Sequence, residues 1–331
     1  MDFEKFFKLV PNEIKNCVKR LNSEILAFSS VSSPYLAEIV NYVLKVSGKR
    51  VRPIFLFLTY MLRGNISIPE KVFKMAMVIE LMHSSTLVHD DIIDSAEVRR
   101  GQPSANKKFG NSQALLCGDY LLTKAFGLCS KLPFYVRSAT EETAVRLIEG
   151  EMNELYIDLN STLEEILEIA HLKTASLFGL CGECASFMNG DEPHLIDLTK
   201  DFGCLCGQAF QALDDIFDII GDQNKTGKAV GTDLRERKLT VPIFFWIKSG
   251  SSLALDYIND FSPEKIPVYI KDIVKSGSLH KSVDLLKDFI DKARVKALCI
   301  NKNPQIYEVF EAFFSSFLEQ PEFRSLEISP P

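Results

Sequence analysis

Apolar residues in this 331-residue chain recur three and four positions apart between breakers spaced about 15 to 30 residues, and no other feature constrains the fold as strongly. That recurrence is the period of a helix with one apolar face. The breakers are "RGN" at 63, "GQP" at 101, "KLP" at 131, "NGDEP" at 189, "IIGD" at 219 and "KSG" at 248. Within 140–157, Val145, Ile148, Met152 and Leu155 form one such stripe, and 162–189 and 279–300 read the same way. Strand-like alternation is nearly absent, and no repeat or Gly/Ser/Pro-rich linker divides the chain. The expectation is all-α: one large helical bundle spanning 1–331 as a single domain.

A composition of 46% hydrophobic and 25% charged residues is that of a folded chain. The runs "IFLFL" and "VPIFFWI" are far too short to span a bilayer. "MDFEKFFKLV" carries acids where a secretion signal would be cationic, so a soluble, cytoplasmic protein is expected. A net charge of −6 lends no support to a nucleic-acid partner. Eight cysteines without a signal segment argue for reduced thiols. Cys181/Cys184 and Cys204/Cys206 are spaced like zinc ligands but sit in helix-like segments rich in Ala, Gly and Leu, where Cys is a small packing residue.

Two acidic segments interrupt the apolar pattern. In "LVHDDIIDSAEVRRG", 87–101, Asp90, Asp91 and Asp94 follow a long apolar approach, where acid is costly unless something neutralises it. The spacing predicts one helix over 72–94, with Glu80, His83, Asp90 and Asp94 three, seven and four residues apart. Seven residues is nearly two turns, so His83 and Asp90 point the same way within about 20°. A second helix, over 202–222, repeats the device: Gln211, Asp214 and Asp218 are three and four apart, with Asp215 adjacent. A partly buried like-charge pair costs about 4 kcal/mol at about 4 Å and an effective dielectric near 20. Carboxylates with no thiolate nearby favour hard divalent cations, and Mg2+ commonly joins such groups to phosphate oxygens.

Cations flank both motifs. "GKRVRP" supplies Lys49, Arg50 and Arg52, and Arg99 and Arg100 follow the first motif. Lys228 lies in "TGKAVGTD" and Lys238 just beyond, in "RERKLTVP". Guanidinium forks match phosphate oxygens, and lysine serves as a point charge. His89–Asp90 has the look of a metal-dependent phosphohydrolase core, but that chemistry needs further histidines at separated positions, and His89 reads as a local hydrogen-bonding residue.

Taken together, the two DDxxD motifs, the arginine pair, "GKRVRP", "LKTASLF" and "GKAVGTDLRERKLTVP" resemble, in order and spacing, the trans-prenyl diphosphate synthases of the polyprenyl synthetase family. The resemblance is close over about 45 to 245. It implies an isoprenoid-synthase bundle of mostly antiparallel helices around a central cavity, a homodimer, and condensation of isopentenyl diphosphate with an allylic diphosphate. Carried across by motif, Asp90, Asp91, Asp94, Asp214, Asp215 and Asp218 would hold Mg2+. Arg99, Lys173, Thr174, Gln211, Lys228 and Lys238 would contact the allylic diphosphate or its metal ions. Lys49, Arg52, His83 and Arg100 would bind isopentenyl diphosphate. Asp90, Asp94, Lys173, Asp214 and Lys228 would, by the same resemblance, carry the ionisation step.

The growing chain would run down the first carboxylate helix toward its N-terminus, past Ser85, about 7–8 Å behind Asp90. Short-chain members of the family usually place a large aromatic there. Small residues at Ser84, Ser85 and Thr86 point to a medium- or long-chain product, as used for quinone side chains, with Met82, Val78 or Phe126 as a floor. A short-chain farnesyl or geranylgeranyl diphosphate synthase is the alternative. A class I terpene cyclase would not need "GKRVRP" and Arg100, and a non-catalytic subunit would not keep both motifs. One departure stands out: Arg237 occupies a position where the family usually has glycine. It would either crowd the loop or add a phosphate contact, and activity is expected to survive. The C-terminal "RSLEISPP" also departs from the family's usual basic ending.

Overall fold

The structure, a computed structural model, describes residues 3–46, 48–221, 230–320 and 323, so Lys228 and the "RSLEISPP" tail lie outside the described residues. Helices α1 (Phe3–Leu9), α2 (Asn12–Leu26), α3 (Pro34–Lys45) and α4 (Val51–Leu62) lead into the long α5 (Glu70–Ile93). There follow α6 (Ala105–Phe109), α7 (Asn111–Cys129), α8 (Phe134–Glu154), α9 (Leu163–Ala170), α10 (Ser176–Asn189) and α11 (Pro193–Ile220). After it come α12 (Thr232–Glu236), α13 (Val241–Lys248), α14 (Ser252–Asn259), α15 (Ile266–Lys275), α16 (Ser278–Ile300) and α17 (Pro304–Leu318). Among the described residues, strand pairing is confined to a hairpin of Val98–Arg99 with Gln102–Pro103. The all-α expectation holds.

Local chemistry sets many of the ends. Ser33 caps α3 through the Leu36 amide, with Pro34 just inside. Thr162 and Glu165 form a reciprocal capping box on α9. Gly190, at φ 82°, closes α10 in the left-handed region. The predicted helices over 72–94, 162–189 and 279–300 are present, with one interruption: His171–Ala175 is a π-helical turn joining α9 to α10.

The two acid-bearing helices are central because their lengths are apolar. α5 is buried almost all round from Val72 to Met82. Phe55 of α4 lies 5.2 Å from Phe178 of α10, 5.5 Å from Phe202 of α11 and 5.7 Å from Phe310 of α17, a ring cluster that locks four helices together. Small residues bring α10 against α11: a Cβ at Gly182 would overlap the Thr199 carbonyl, and one at Gly203 the Phe178 carbonyl. The thiols of Cys184 and Cys206 are fully buried here, and burial pushes them well above their ordinary value.

The stripe of α8 does not join this core. Val145, Ile148 and Met152 are 48%, 62% and 50% exposed, while α8 buries Val136, Ala139, Thr143 and Leu147 instead. Helical period was legible there, but which face turns inward was not. Among the described residues no helix is long and apolar enough to cross a membrane.

Candidate active site

Both acid motifs sit in the last turns of their helices, Asp90–Asp94 at the end of α5 and Asp214–Asp218 near the end of α11. A helix C-terminus carries the negative pole of the macrodipole, so carboxylates there repel both each other and the helix end. In each motif the middle acid turns into the protein. Asp91 is 3% exposed, and Arg99 donates Nε to its Oδ1 at 2.9 Å and Nη2 to the same oxygen. Asp215 is 6% exposed and accepts Gln211 Nε2 at 2.7 Å. The sequence puts all six aspartates in a metal-binding set, but Asp91 and Asp215 spend carboxylate oxygens on these buried partners.

Two polar bridges join the motifs. Lys173, presented by the π turn, pairs with Glu151 and Glu154 of α8 at 2.7 Å each, and its positive charge bears on Asp90. Next to it Thr174 Oγ1 donates to Gln211 Oε1 at 2.6 Å, and so connects to Asp215. A one-turn π widening shifts the register of the helix, which suits a site that needs two consecutive side chains delivered toward it. The second bridge is Lys238, whose Nζ lies 2.7 Å from Asp94 Oδ2, 3.1 Å from Glu236 and 4.0 Å from Glu154. Its loop is tied to α11 because the amides of Thr232 and Asp233 donate to the two carboxylate oxygens of Asp218 at 3.1 and 3.0 Å. Asp218 therefore already anchors the loop that carries Lys238.

Burial dominates the electrostatics of the acids. Burial, helped by Glu151 and opposed by Lys173, pushes Asp90 up to about 7. Burial, opposed by the Gln211 hydrogen bond and helped by Asp214, does the same to Asp215, also to about 7. Burial, helped by Asp218, Asp215 and Asp214, holds Asp233 well above the carboxylate range. Burial alone would lower the Lys238 pKa, but Glu154 and Asp94 outweigh it and raise it. All-oxygen donors raised by burial and by one another fit a hard divalent cation.

A separate cationic corner lies beside the start of α4. Arg50, in a left-handed conformation at φ 51°, bonds the buried Glu80 of α5 and, at 2.8 Å, Asn22. That anchor fixes the turn carrying Lys49, which is exposed, and Arg52. Arg52 Nη1 lies 3.1 Å from His83 Nε2, while its Nε is buried with no hydrogen-bond partner. Burial and then the surrounding arginines, Arg52 first, hold His83 far below its ordinary value, so it is neutral and accepts from Arg52. Arg100 donates to the Val46 carbonyl at 2.6 Å, and a Cβ at Gly48 would overlap its guanidinium.

Ser85 and Met82 occupy another face of α5. Ser85 is 1% exposed and donates Oγ to the Gly118 carbonyl of α7 at 2.8 Å; Met82, nearly a turn behind, is fully buried. Phe126 is 38% exposed, so it does not make a buried floor. His89 Nε2 stands 3.3 Å from the Leu115 carbonyl. Sequence reasoning missed Glu151, Glu154 and Asp233. The first two were legible as acids three apart in "EGEMNEL", overshadowed by the apolar stripe of the same helix.

Comparison with known proteins places the chain in context. A polyprenyl synthetase family model matches residues 33–266. The chain is 34% identical to a nonaprenyl diphosphate synthase of Mycobacterium tuberculosis over 70% of this chain and 68% of that one. It is 29% identical to a short chain isoprenyl diphosphate synthase of Methanocaldococcus jannaschii, covering 85% of this chain and 84% of that one. A polyprenyl synthase of Caulobacter crescentus, crystallised with calcium and isoprenyl diphosphate, superposes with a TM-score of 0.88 at 26% identity, covering 96% of this chain and 98% of that one.

Proposed function

Because the chain belongs to the polyprenyl synthetase family, we propose that it joins isopentenyl diphosphate to an allylic diphosphate, releasing diphosphate and a lengthened prenyl diphosphate. One observation carries this reading. Two acid motifs at the negative ends of α5 and α11 are tied together by the Lys238 loop, which pairs with Asp94 and is anchored on Asp218, with Lys173, Thr174 and Gln211 alongside, beside a distinct cationic corner holding a buried, unpartnered Arg52 Nε.

The allylic diphosphate would lie between the motifs. Asp90, Asp94, Asp214 and Asp218 would hold divalent cations, Mg2+ on our reading, with Asp91 and Asp215 backing them. Among the described residues no three acid, imidazole or thiol groups converge enough to hold an ion alone, so diphosphate oxygens and water would complete each shell. Bound cations supply the charge that lets the diphosphate depart. Lys173 and Lys238 meet the same leaving group as fixed positive charges, and Arg99 braces Asp91. Lys49, Arg52 and Arg100 would grip the diphosphate of isopentenyl diphosphate while neutral His83 orients Arg52. The bond from allylic C1 to oxygen breaks with its electron pair on oxygen. The isopentenyl double bond then attacks C1, and loss of a proton to the released diphosphate restores the alkene. The apolar walls of α5 and α10 keep water from quenching the cation.

For product length we read a medium or long polyprenyl chain. Small Ser85 and Thr86 support it, with buried Met82 and Val78 further back along α5. A short-chain product is the second reading, favoured by the tight Ser85–Gly118 contact. We also read the chain as one such domain, a homodimer acting in the cytoplasm; eight free cysteines suit a reducing compartment. Incubation with labelled isopentenyl diphosphate, farnesyl diphosphate and Mg2+, followed by sizing of products, tests the proposal. Elongated diphosphates are expected; conversion of farnesyl diphosphate without any isopentenyl incorporation would indicate a cyclase instead.

A further inference from the structure

Arg237 directs its guanidinium at the end of α14. It sits at φ 60°, ψ 27°, a left-handed conformation that costs an L-residue energy and that glycine adopts freely. Something else must favour arginine. Its Nη1 donates to the Tyr257 carbonyl at 3.0 Å and its Nη2 to the Ile258 carbonyl at 3.3 Å, both in the final turn of α14. Those carbonyls lack helical partners and form the negative pole of that helix, so a guanidinium is well placed on them. The same group lies 4.9 Å from the Tyr257 ring centre and 5.2 Å from that of Phe261. Tyr257 returns its hydroxyl to the Leu234 carbonyl at 3.3 Å, closing a loop of contacts between α12 and α14.

Leu234 roots the start of the turn in the core and Asp218 anchors the residues before it, but the end of the turn, Arg237 to Leu239, borders open space. On one side lies a cavity of about 260 Å³, lined by Ile157, Leu159, Leu239, Ile243 and Tyr257 together with the turn itself. The next residue is Lys238, whose ammonium reaches Asp94 at 2.7 Å. We infer that Arg237 is a positioning residue: by fastening the 234–238 turn to the end of α14, it holds the Lys238 ammonium over the first acid motif and so sets affinity for the allylic diphosphate. The inference rests on the reading of the site given above. Two of the Arg237 donors are committed to the end of α14.

The test compares Arg237→Gly, Arg237→Ala and Lys238→Ala, singly and combined. Loss of the grip should raise the allylic-diphosphate KM about tenfold, comparable to losing one charge-assisted hydrogen bond, and lower kcat as Lys238→Ala does but to a smaller extent, while the isopentenyl-diphosphate KM changes little. Glycine separates the two possible roles. If only backbone strain mattered, Arg237→Gly would equal or outperform the natural residue; a grip requires that Gly and Ala both weaken binding. In a Lys238→Ala background either change should add almost nothing, because Arg237 acts through Lys238. Equal added losses in that background would overturn the inference, as would an unchanged KM in Arg237→Gly. Amide hydrogen exchange across 231–240 supplies a readout independent of turnover. Exchange should quicken about tenfold or more in Arg237→Gly, and unchanged protection would also overturn the inference. A natural chain that elongates nothing while exchange responds would instead remove the functional reading and leave the grip standing.

Discussion

Asp90 and Asp215 state the chemistry of the site at its smallest scale. Both are raised by burial to about 7 from an ordinary value of 3.8. The folded chain therefore keeps protons that the unfolded chain loses between about pH 4 and 7, and stability must fall as pH rises through that window. In chelator, the melting temperature should drop from pH 5 to pH 8, and Mg2+ should recover most of the drop at pH 8. A melting temperature that climbs with pH in chelator would contradict the burial of these two acids. Asp90→Asn and Asp214→Asn should each lower kcat about 100- to 1,000-fold, the scale seen when one group that stabilises transition-state charge is removed. Retention of more than half the natural kcat in either variant would take that residue out of the machinery. At this scale the sequence was most readable for charge and least for orientation. It showed six aspartates in two motifs, but that Asp91 turns to Arg99 and Asp218 to the Thr232 and Asp233 amides depends on neighbours 8 to 15 residues away.

Between elements, the strongest tie near the site is the pair of Arg50 and Glu80, 4% exposed in both side chains, which fixes the start of α4 to α5. Glu80→Ala would leave a buried guanidinium uncompensated and should cost about 3–5 kcal/mol of folding stability, read by denaturant titration. A loss under 1 kcal/mol would mean that Asn22 and water suffice. The seam of α5 with α7 carries the other test at this scale. Ser85→Phe should shift products toward shorter chains, seen by reversed-phase chromatography after phosphatase treatment; an unaltered distribution would dissociate Ser85 from product length. Helix existence was legible because period depends only on local spacing, and α5 and α16 fall within two residues of the predicted ends. The π turn at His171–Ala175 was not, since nothing in "HLKTA" alone distinguishes it from an α-helical turn. Arg237 was visible as a departure, but its partners lie 20 and 21 residues on, at the end of another helix.

At the scale of the whole molecule, the outward stripe of α8, together with exposed Leu115 and Leu116 on α7, is the apolar surface expected to meet a second copy. Ile148→Asp should yield a species of half the natural mass in sedimentation velocity, with secondary structure intact; an unchanged mass would place any self-association elsewhere. One arrangement governs the rest. In α5 the acids occupy the final turn and everything behind them, from Val72 to Met82, is buried among apolar side chains. On the proposed reading the polar head of a lengthening molecule would be pinned at one spot, and each new five-carbon unit would drive the older ones backward along that rod. Such a catalyst would never tally its additions. It would work as a depth gauge, stopping when the tail meets the bottom, so evolution could reset the answer by altering a single side chain without touching the chemistry at the rim.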